Sequence, residues 1–266
     1  MRIKEHLEAS KIPKRDLRKL LQKITGFSAS DLFLRENHNL DEKQEETLKE
    51  LIEKRLGGYP LEYLVGSVPF YRRTFTVGEE CLIPRPETEG LVEMALEYPG
   101  TKVLDICTGT GVIGITMNLE GQRQVTCSDI NPKAIALASK NATDLGAEIQ
   151  FVESDLFNDV EGCFDMILSN PPYIASGLLD GLDVAKYEPH IALDGGDDGL
   201  VLIKGILEGA REHLFPGGTL IMEIGYDQGP RTKELAEALG YCDVEISRDL
   251  AGLDRYFKGK WSSSLD

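Results

Sequence analysis

Long apolar runs, paired cysteines and basic charge are what this 266-residue chain has least of. No apolar run approaches the ~20 residues that a membrane-spanning helix needs, so no span is expected. Met1–Pro13 is charged and broken by proline, which argues against a secretion leader. The five cysteines, Cys81, Cys107, Cys127, Cys163 and Cys242, form no C-x-x-C pair. They read as reduced, mostly buried thiols of a cytoplasmic protein, with no metal site expected. Basic residues are outnumbered, 29 Lys+Arg against 45 Asp+Glu, for a net charge of −16. A field of that sign repels a phosphate backbone and disfavours a protein that wraps DNA or RNA over its whole surface. The deficit is uneven. Residues 1–75 hold 15 Lys+Arg against 12 Asp+Glu, and residues 76–266 hold 14 against 33. Two regions of opposite sign suggest two modules.

What remains is an ordinary globular mixture, 41% hydrophobic and 28% charged, long enough to bury a core without staples. Leu17, Leu20, Leu21 and Ile24 recur at helical spacing and Gly26 follows as a stop. Asp41 precedes a second helix through Leu48, Leu51, Ile52 and Leu56, ended by Gly57-Gly58, and Ser28–Leu34 has room for a short one between. Lys11, Lys14, Arg15, Arg18, Lys19 and Lys23 crowd the first helical stretch, as a solvated face or a partner-holding one. The short aromatic and β-branched pieces Val65–Val68, Phe70–Arg73 and Phe75–Val77 predict a hairpin-like connector. A proline-fronted helix opens at Ile83-Pro84-Arg85-Pro86-Glu87-Thr88-Glu89.

Beyond Gly100 strands and helices alternate. Strands are expected at Lys102–Cys107, Gln124–Asp129, Glu148–Val152, Phe164–Ser169, Thr219–Ile224, Asp243–Ser247 and Arg255–Lys258. Helices are expected at about Gly111–Asn118, Pro132–Leu145, Leu200–His213 and Asp227–Leu239. The pattern predicts an α/β fold with a doubly wound, seven-stranded, mostly parallel sheet. No long helix separates the last two strands, which predicts an antiparallel strand at the edge.

Ligands in such sheets sit at the carboxyl ends of the strands. The first strand runs into Cys107-Thr108-Gly109-Thr110-Gly111, a glycine turn that lets backbone approach a ligand. With Gly114 it satisfies G-x-G-x-x-G, a pattern also compatible with NAD. Asp129, 18 residues after Gly111, can accept hydrogen bonds from both hydroxyls of a ribose, leaving Asn131 as the helix cap. Asp155 can accept from an exocyclic amine, and Leu156 offers apolar contact to a purine face. The fourth strand ends in Asn170-Pro171-Pro172-Tyr173. Pro171 pushes Asn170 into an extended conformation, and the prolines stiffen the loop. The Asn170 side-chain oxygen and the Pro171 carbonyl then stand as two preset acceptors for one planar NH2 group, with Tyr173 able to pack on its flat face. Asp194–Gly199 imitates a calcium loop, but positions three and twelve fall on Gly196 and Gly205, so it reads as a turn. His190 reads as a loop histidine. Arg85 and Glu87 are either surface charges or rim residues.

Asp105–Gly111, Asp129, Asp155 and Asn170–Tyr173 together resemble class I S-adenosylmethionine-dependent methyltransferases that alkylate planar amino groups. More narrowly, the chain is similar to the HemK/PrmC family, the glutamine methyltransferases of peptide chain release factors. That closer likeness rests on residues 56–66 and 82–89, on Tyr187-Glu188-Pro189 and Ala192–Gly196, and on Asp198-Gly199-Leu200. Glu223-Ile224-Gly225 with Gln228, and Asp249–Arg255, complete it. The resemblance implies cofactor contacts at Cys107, Thr108, Gly109, Thr110, Gly111, Asp129, Asp155, Leu156 and Asn170. It implies a substrate-amide clamp of Asn170, Pro171, Pro172 and Tyr173, with Asn170 and Pro171 catalytic. Many members carry Trp where this chain has Leu156, and often Gly where it has Cys107. The implied layout is a helical partner-binding domain over 1–66, a β-hairpin connector over 67–83 and a methyltransferase domain over 84–266. The implied partners are class I release factors, with no direct nucleic-acid contact and no membrane. An adenine-amine methyltransferase of nucleic acid poses the same NH2 problem, but the acidic half and the lack of a basic reading domain weigh against it. A non-catalytic nucleotide-binding module leaves the Asn-Pro-Pro-Tyr loop without a purpose. A NAD dehydrogenase lacks a hydride-site acid or base.

Overall fold

The computed structural model describes residues 1–262, and the chain divides into two units, Met1–Ser67 and Val68–Asp266. The first is helical: α1 (Ile3–Glu8), α2 (Lys14–Thr25), α3 (Ala29–Leu34), α4 (Glu42–Leu56) and α5 (Leu61–Val65). Leu17, Leu20 and Leu21 lie on one stripe of α2 and are fully buried with Ile3 and Leu48. Gly26 ends α2 in the left-handed region at φ 70°. Asp41 and Ser28 cap α4 and α3, each accepting from the backbone N–H three residues on. Lys11, Lys14, Arg15, Arg18 and Lys23 are exposed. Asp16 is turned inward instead and accepts from Arg55 Nε at 2.8 Å. One expectation is corrected here. Val65 ends a helix rather than opening a strand, because Pro60 starts a turn that Gly66, at φ 83°, stops after five helical residues. A helix that short carries no readable periodicity.

The second unit opens with a hairpin, β1 (Ser67–Phe70) and β2 (Arg73–Thr76). Its two-residue turn has Tyr71 and Arg72 at φ 44° and 65°, the primed geometry that matches strand twist. Then follow α6 (Pro86–Leu96), β3 (Lys102–Ile106), α7 (Val112–Gly121), β4 (Gln124–Asp129), α8 (Pro132–Leu145), β5 (Ile149–Glu153) and β6 (Phe164–Ser169). After three short 3-10 turns come α9 (Val201–His213), β7 (Leu214–Glu223), α10 (Gly229–Ala238), β8 (Tyr241–Arg248) and β9 (Asp254–Trp261). The sheet order is β5-β4-β3-β6-β7-β9-β8. Pairs from β5 to β7 are parallel, and β9 runs antiparallel to both β7 and β8.

The expected doubly wound, mostly parallel seven-stranded sheet is therefore present, but its antiparallel strand is not the edge. The crossover through α10 lands β8 one place too far out, and the turn after Arg248 folds β9 back into the gap. Burial explains the choice. Tyr256 and Phe257 are consecutive, point to opposite faces and are both buried, so β9 needs cover on two sides. β8 is exposed or half-buried along most of its length and tolerates the edge. On one face Leu104, Ile106, Ile167, Leu220 and Met222 meet Ile203, Ile206, Leu207 and Ala210 of α9. α6 and α7 cover the other, where Val103, Met166, Leu168 and Ile221 are fully buried.

Candidate active site

Four strands that lie side by side, β5, β4, β3 and β6, end at one cavity of about 440 Å³, within the roughly 300–1,000 Å³ usual for small-molecule sites. Cys107, Thr108, Gly109 and Thr110 line it after β3, Asp129 after β4, Asp155 and Leu156 after β5, and Asn170 and Pro172 after β6. Three residues expected in the site stand behind this lining. Gly111 heads α7 at φ 82°, where a Cβ would come within 2.8 Å of Ile115 and 3.1 Å of Ala138. Pro171 is buried. Tyr173 packs on the apolar core and sends its hydroxyl to Glu223 Oε1 at 3.1 Å.

The first turn is shaped by Asp105, fully buried beneath it. Its Oδ2 accepts from the Thr108 hydroxyl at 2.5 Å and the Gly114 N–H at 2.9 Å, while Oδ1 has no partner among the described residues. Cys107 sits at φ 59°, in the left-handed region that costs glycine least. Burial pushes the Asp105 carboxyl up to about 7, against the two hydrogen bonds and with a smaller push from Asp129. A folded pKa above the unfolded value of ~3.9 means that the protonated form favours the fold. That contribution is complete below the unfolded value and is lost as pH rises through about 7. In thermal melts of the cofactor-free protein, Asp105→Asn is expected to flatten the fall in Tm between pH 5 and pH 8 by several degrees. An unchanged slope would show that Asp105 is ionised throughout.

Asp129 is held by two backbone donors, Gly109 N–H on Oδ2 and Asn131 N–H on Oδ1, both at 2.9 Å. Each oxygen keeps a lone pair for a further donor. Burial raises its pKa, and the backbone bonds oppose that rise. Asn131 is the cap of α8, accepting from the Lys133 N–H. The residues fit S-adenosylmethionine. Gly109 lines the cavity at φ 54°, and no atom of the described residues lies within 4 Å of where a Cβ would stand, so the turn is open to a close ligand. Asp129 offers paired acceptors beside it. Ile113, Ile130 and Leu156 supply apolar wall for a flat ring.

On the other wall Asn170 donates its NH2 to the Thr88 hydroxyl oxygen at 3.1 Å, and Thr88 donates to Glu223 Oε2 at 2.7 Å. Glu223 and Thr88 are 1% and 2% exposed. The loop after β6 is clamped from behind. Gln228 Nε2 donates to the carbonyls of Tyr173 and Gly199 at 2.8 and 3.0 Å. Gly195 packs so closely that a Cβ would stand 2.8 Å from Tyr173 Cα and 2.9 Å from the Pro172 carbonyl. The turn that imitates a calcium loop is thus part of the site, with Asp194, Gly195 and Gly196 in the lining. Glu188, 5% exposed, accepts from the Ile83 N–H at 3.0 Å and from Arg85 Nη2 at 2.5 Å, tying the Tyr187-Glu188-Pro189 segment to the chain before α6. Arg85 is thereby a structural clamp at the site, and the Glu87 carbonyl accepts from the Tyr256 hydroxyl. His190 is exposed and lines the cavity.

The expectation drawn from the sequence left out Cys81, Leu82, Pro84 and Thr88, all in the lining, and gave Glu223 no role. The signal available was the Ile83–Glu89 run, whose prolines stiffen the approach to α6. Nothing local says that this run reaches a loop more than eighty residues later.

Two family models match the chain: the PrmC N-terminal domain over residues 1–66 and the methyltransferase small domain over residues 87–186. A release factor glutamine methyltransferase of Neisseria gonorrhoeae is 39% identical, with all of both chains covered. That of Salmonella typhimurium is 37% identical over 96% of this chain and 95% of its own. Among solved structures, a methyltransferase from Pyrococcus furiosus superposes with a TM-score of 0.56 at 19% identity, covering 84% of this chain and all of that one. A complex from E. cuniculi responsible for methylating a translation termination factor superposes at 0.51 and 23% identity, covering 69% of this chain and 99% of that one. These two structures show a shared fold. With full-length relatives well above 30% identity, the chain belongs to the release factor glutamine methyltransferase family.

Proposed function

We propose that the protein transfers a methyl group from S-adenosylmethionine to the side-chain amide nitrogen of the glutamine in the Gly-Gly-Gln loop of peptide chain release factors. The position of Asn170 carries this reading. It lines the cavity that Asp129 also lines, and its NH2 is turned to Thr88, so its oxygen faces the other way as an acceptor. An acceptor suits a substrate that presents a donor, as a primary amide does.

S-adenosylmethionine, when bound, supplies a methyl group already activated on a sulfonium. Cys107, Thr108, Gly109 and Thr110 would hold it by backbone, Asp129 by the ribose hydroxyls, Asp155 by the adenine amine and Leu156 by the purine face. An amide nitrogen is a poor nucleophile, because its lone pair is delocalised into the carbonyl. The protein's work is therefore alignment, worth on the order of 7–11 kcal/mol in favourable cases. The Asn170 oxygen adds a preset dipole that binds the NH2 group more tightly as it becomes cationic, and Pro171, buried behind the lining, stiffens the loop that carries it. Pro172 and Tyr173 hold the loop's shape. The helical unit, with its exposed basic α2, takes the release factor.

Incubation of the purified protein with methyl-labelled S-adenosylmethionine and a release factor, DNA or rRNA checks this. Label is expected in the release factor, and mass spectrometry is expected to place one methyl on the glutamine of its Gly-Gly-Gln loop. Label confined to nucleic acid overturns the assignment.

A further inference from the structure

We propose that Thr88 and Glu223 are positioning residues that set which way round the Asn170 amide stands, and so make the site select a primary amide. The inference rests on Asn170 being the substrate's acceptor, as proposed above.

A side-chain amide has an oxygen and an NH2 of nearly the same shape. Nothing in its own packing decides which of them faces a cavity. Here the surrounding protons decide. Burial raises the Glu223 carboxyl, while the bonds from Thr88 and Tyr173 and the nearby Arg255 oppose that rise. In its ionised form the carboxylate only accepts, so the single proton of the Thr88 hydroxyl goes to Glu223 Oε2. The Thr88 oxygen is then left as an acceptor, and it takes the Asn170 NH2. The Asn170 oxygen is the group that remains. Turning the amide over would set its oxygen against a hydroxyl oxygen whose proton is already used, and would present an NH2 to the substrate's NH2. Two donors facing each other cannot bond, so the flipped site rejects the amide.

The far end of the chain is anchored too. Tyr173, three residues after Asn170, donates its hydroxyl to Glu223 Oε1, and Arg255 Nη1 reaches that hydroxyl at 3.4 Å. Both carboxylate oxygens are therefore occupied by donors, and a cation stands behind one of them. The carboxyl at the buried end of this chain lies two hydrogen bonds from the Asn170 amide, and in its ionised form it favours the positive charge that grows on the substrate nitrogen. A glutamate side chain in place of glutamine would bring acceptors to an acceptor and be refused.

The experiment measures methyl transfer to a release factor by the full-length protein, with S-adenosylmethionine affinity by calorimetry. Thr88→Val keeps the shape and removes the hydroxyl. It is expected to lower kcat at least tenfold with cofactor Kd within twofold, while Thr88→Ser stays within about threefold of the parent. In an Asn170→Ala background Thr88→Val is expected to cost nothing further, because the residue it orients is gone. A merely structural Thr88 would cost the same in both backgrounds. If Thr88→Val does not fold, Glu223→Gln reads the chain from its other end in the same cycle, with the same tenfold loss that disappears beside Asn170→Ala. An inactive Asn170→Ala with a Thr88→Val, or in its place a Glu223→Gln, that turns over normally overturns the positioning role alone. Asn170→Ala with normal turnover overturns the clamp and this inference with it.

Discussion

Replacing Asn170 by alanine is expected to lower kcat for release-factor methylation on the order of 10²–10³-fold, the size seen when one preorganised hydrogen-bonding group is removed from a transition-state site. Cofactor affinity is expected to stay within a few fold, so the effect separates chemistry from cofactor binding. The reason lies in when the interaction grows. A neutral amide NH2 is a moderate donor, and a nitrogen acquiring a fourth substituent is a strong one, so the Asn170 oxygen holds the transition state more firmly than the ground state. Loss of a contact made equally in both would raise KM and leave kcat alone. The fold is expected to survive, because Asn170 is only partly buried and stands at the end of the hydrogen-bond chain, so the bonds of Thr88 and Tyr173 to Glu223 remain without it. Steady-state kinetics with a release factor and calorimetry with S-adenosylmethionine check both halves. Near-normal turnover would remove Asn170 from the clamp.

Asp129→Ala is expected to act on the other substrate. Two ribose hydroxyls bonded to one carboxylate are charge-assisted, each worth roughly 1.5–3 kcal/mol, so cofactor Kd is expected to weaken on the order of 10–100-fold for a single effective bond of that strength. Part of the loss comes from the protein itself. The same carboxylate accepts the Gly109 and Asn131 N–H groups, and alanine leaves both donors bare at the cavity wall. Asp129→Asn, which keeps one acceptor, is expected to fall between. Calorimetry settles the order, and equal affinity in all three proteins would argue against the ribose role.

The framework and the cofactor side of the site were legible because they are local. The glycine turn after Ile106, the acid ending β4 and the Asp155-Leu156 pair after β5 each follow directly from a strand end, and parallel order then places all three at one cavity. Asn131 as the α8 cap was legible for the same reason, being a matter of neighbouring residues. The misread parts are those where length or distance hides the cause. A five-residue helix ending at Val65 is too short for a periodic signal. The inward placement of β9 depends on which strand carries two buried faces, a property of the assembled sheet.

The sequence by itself determined the alternation of strand and helix, the stiff Asn170-Pro171-Pro172-Tyr173 loop, the strand-end acids and the low basic charge of the second unit. Those are properties of neighbouring residues and of sums over the chain. Only the tertiary structure decided that Thr88, from the head of α6, and Glu223, from the end of β7, meet behind Asn170. It also put Glu188 under Arg85 and left an oxygen of Asp105 buried with no partner among the described residues. The physical reason is that a hydrogen bond's direction depends on which donors and acceptors are brought within reach, and residues 82 and 135 positions apart are brought together by the sheet order alone.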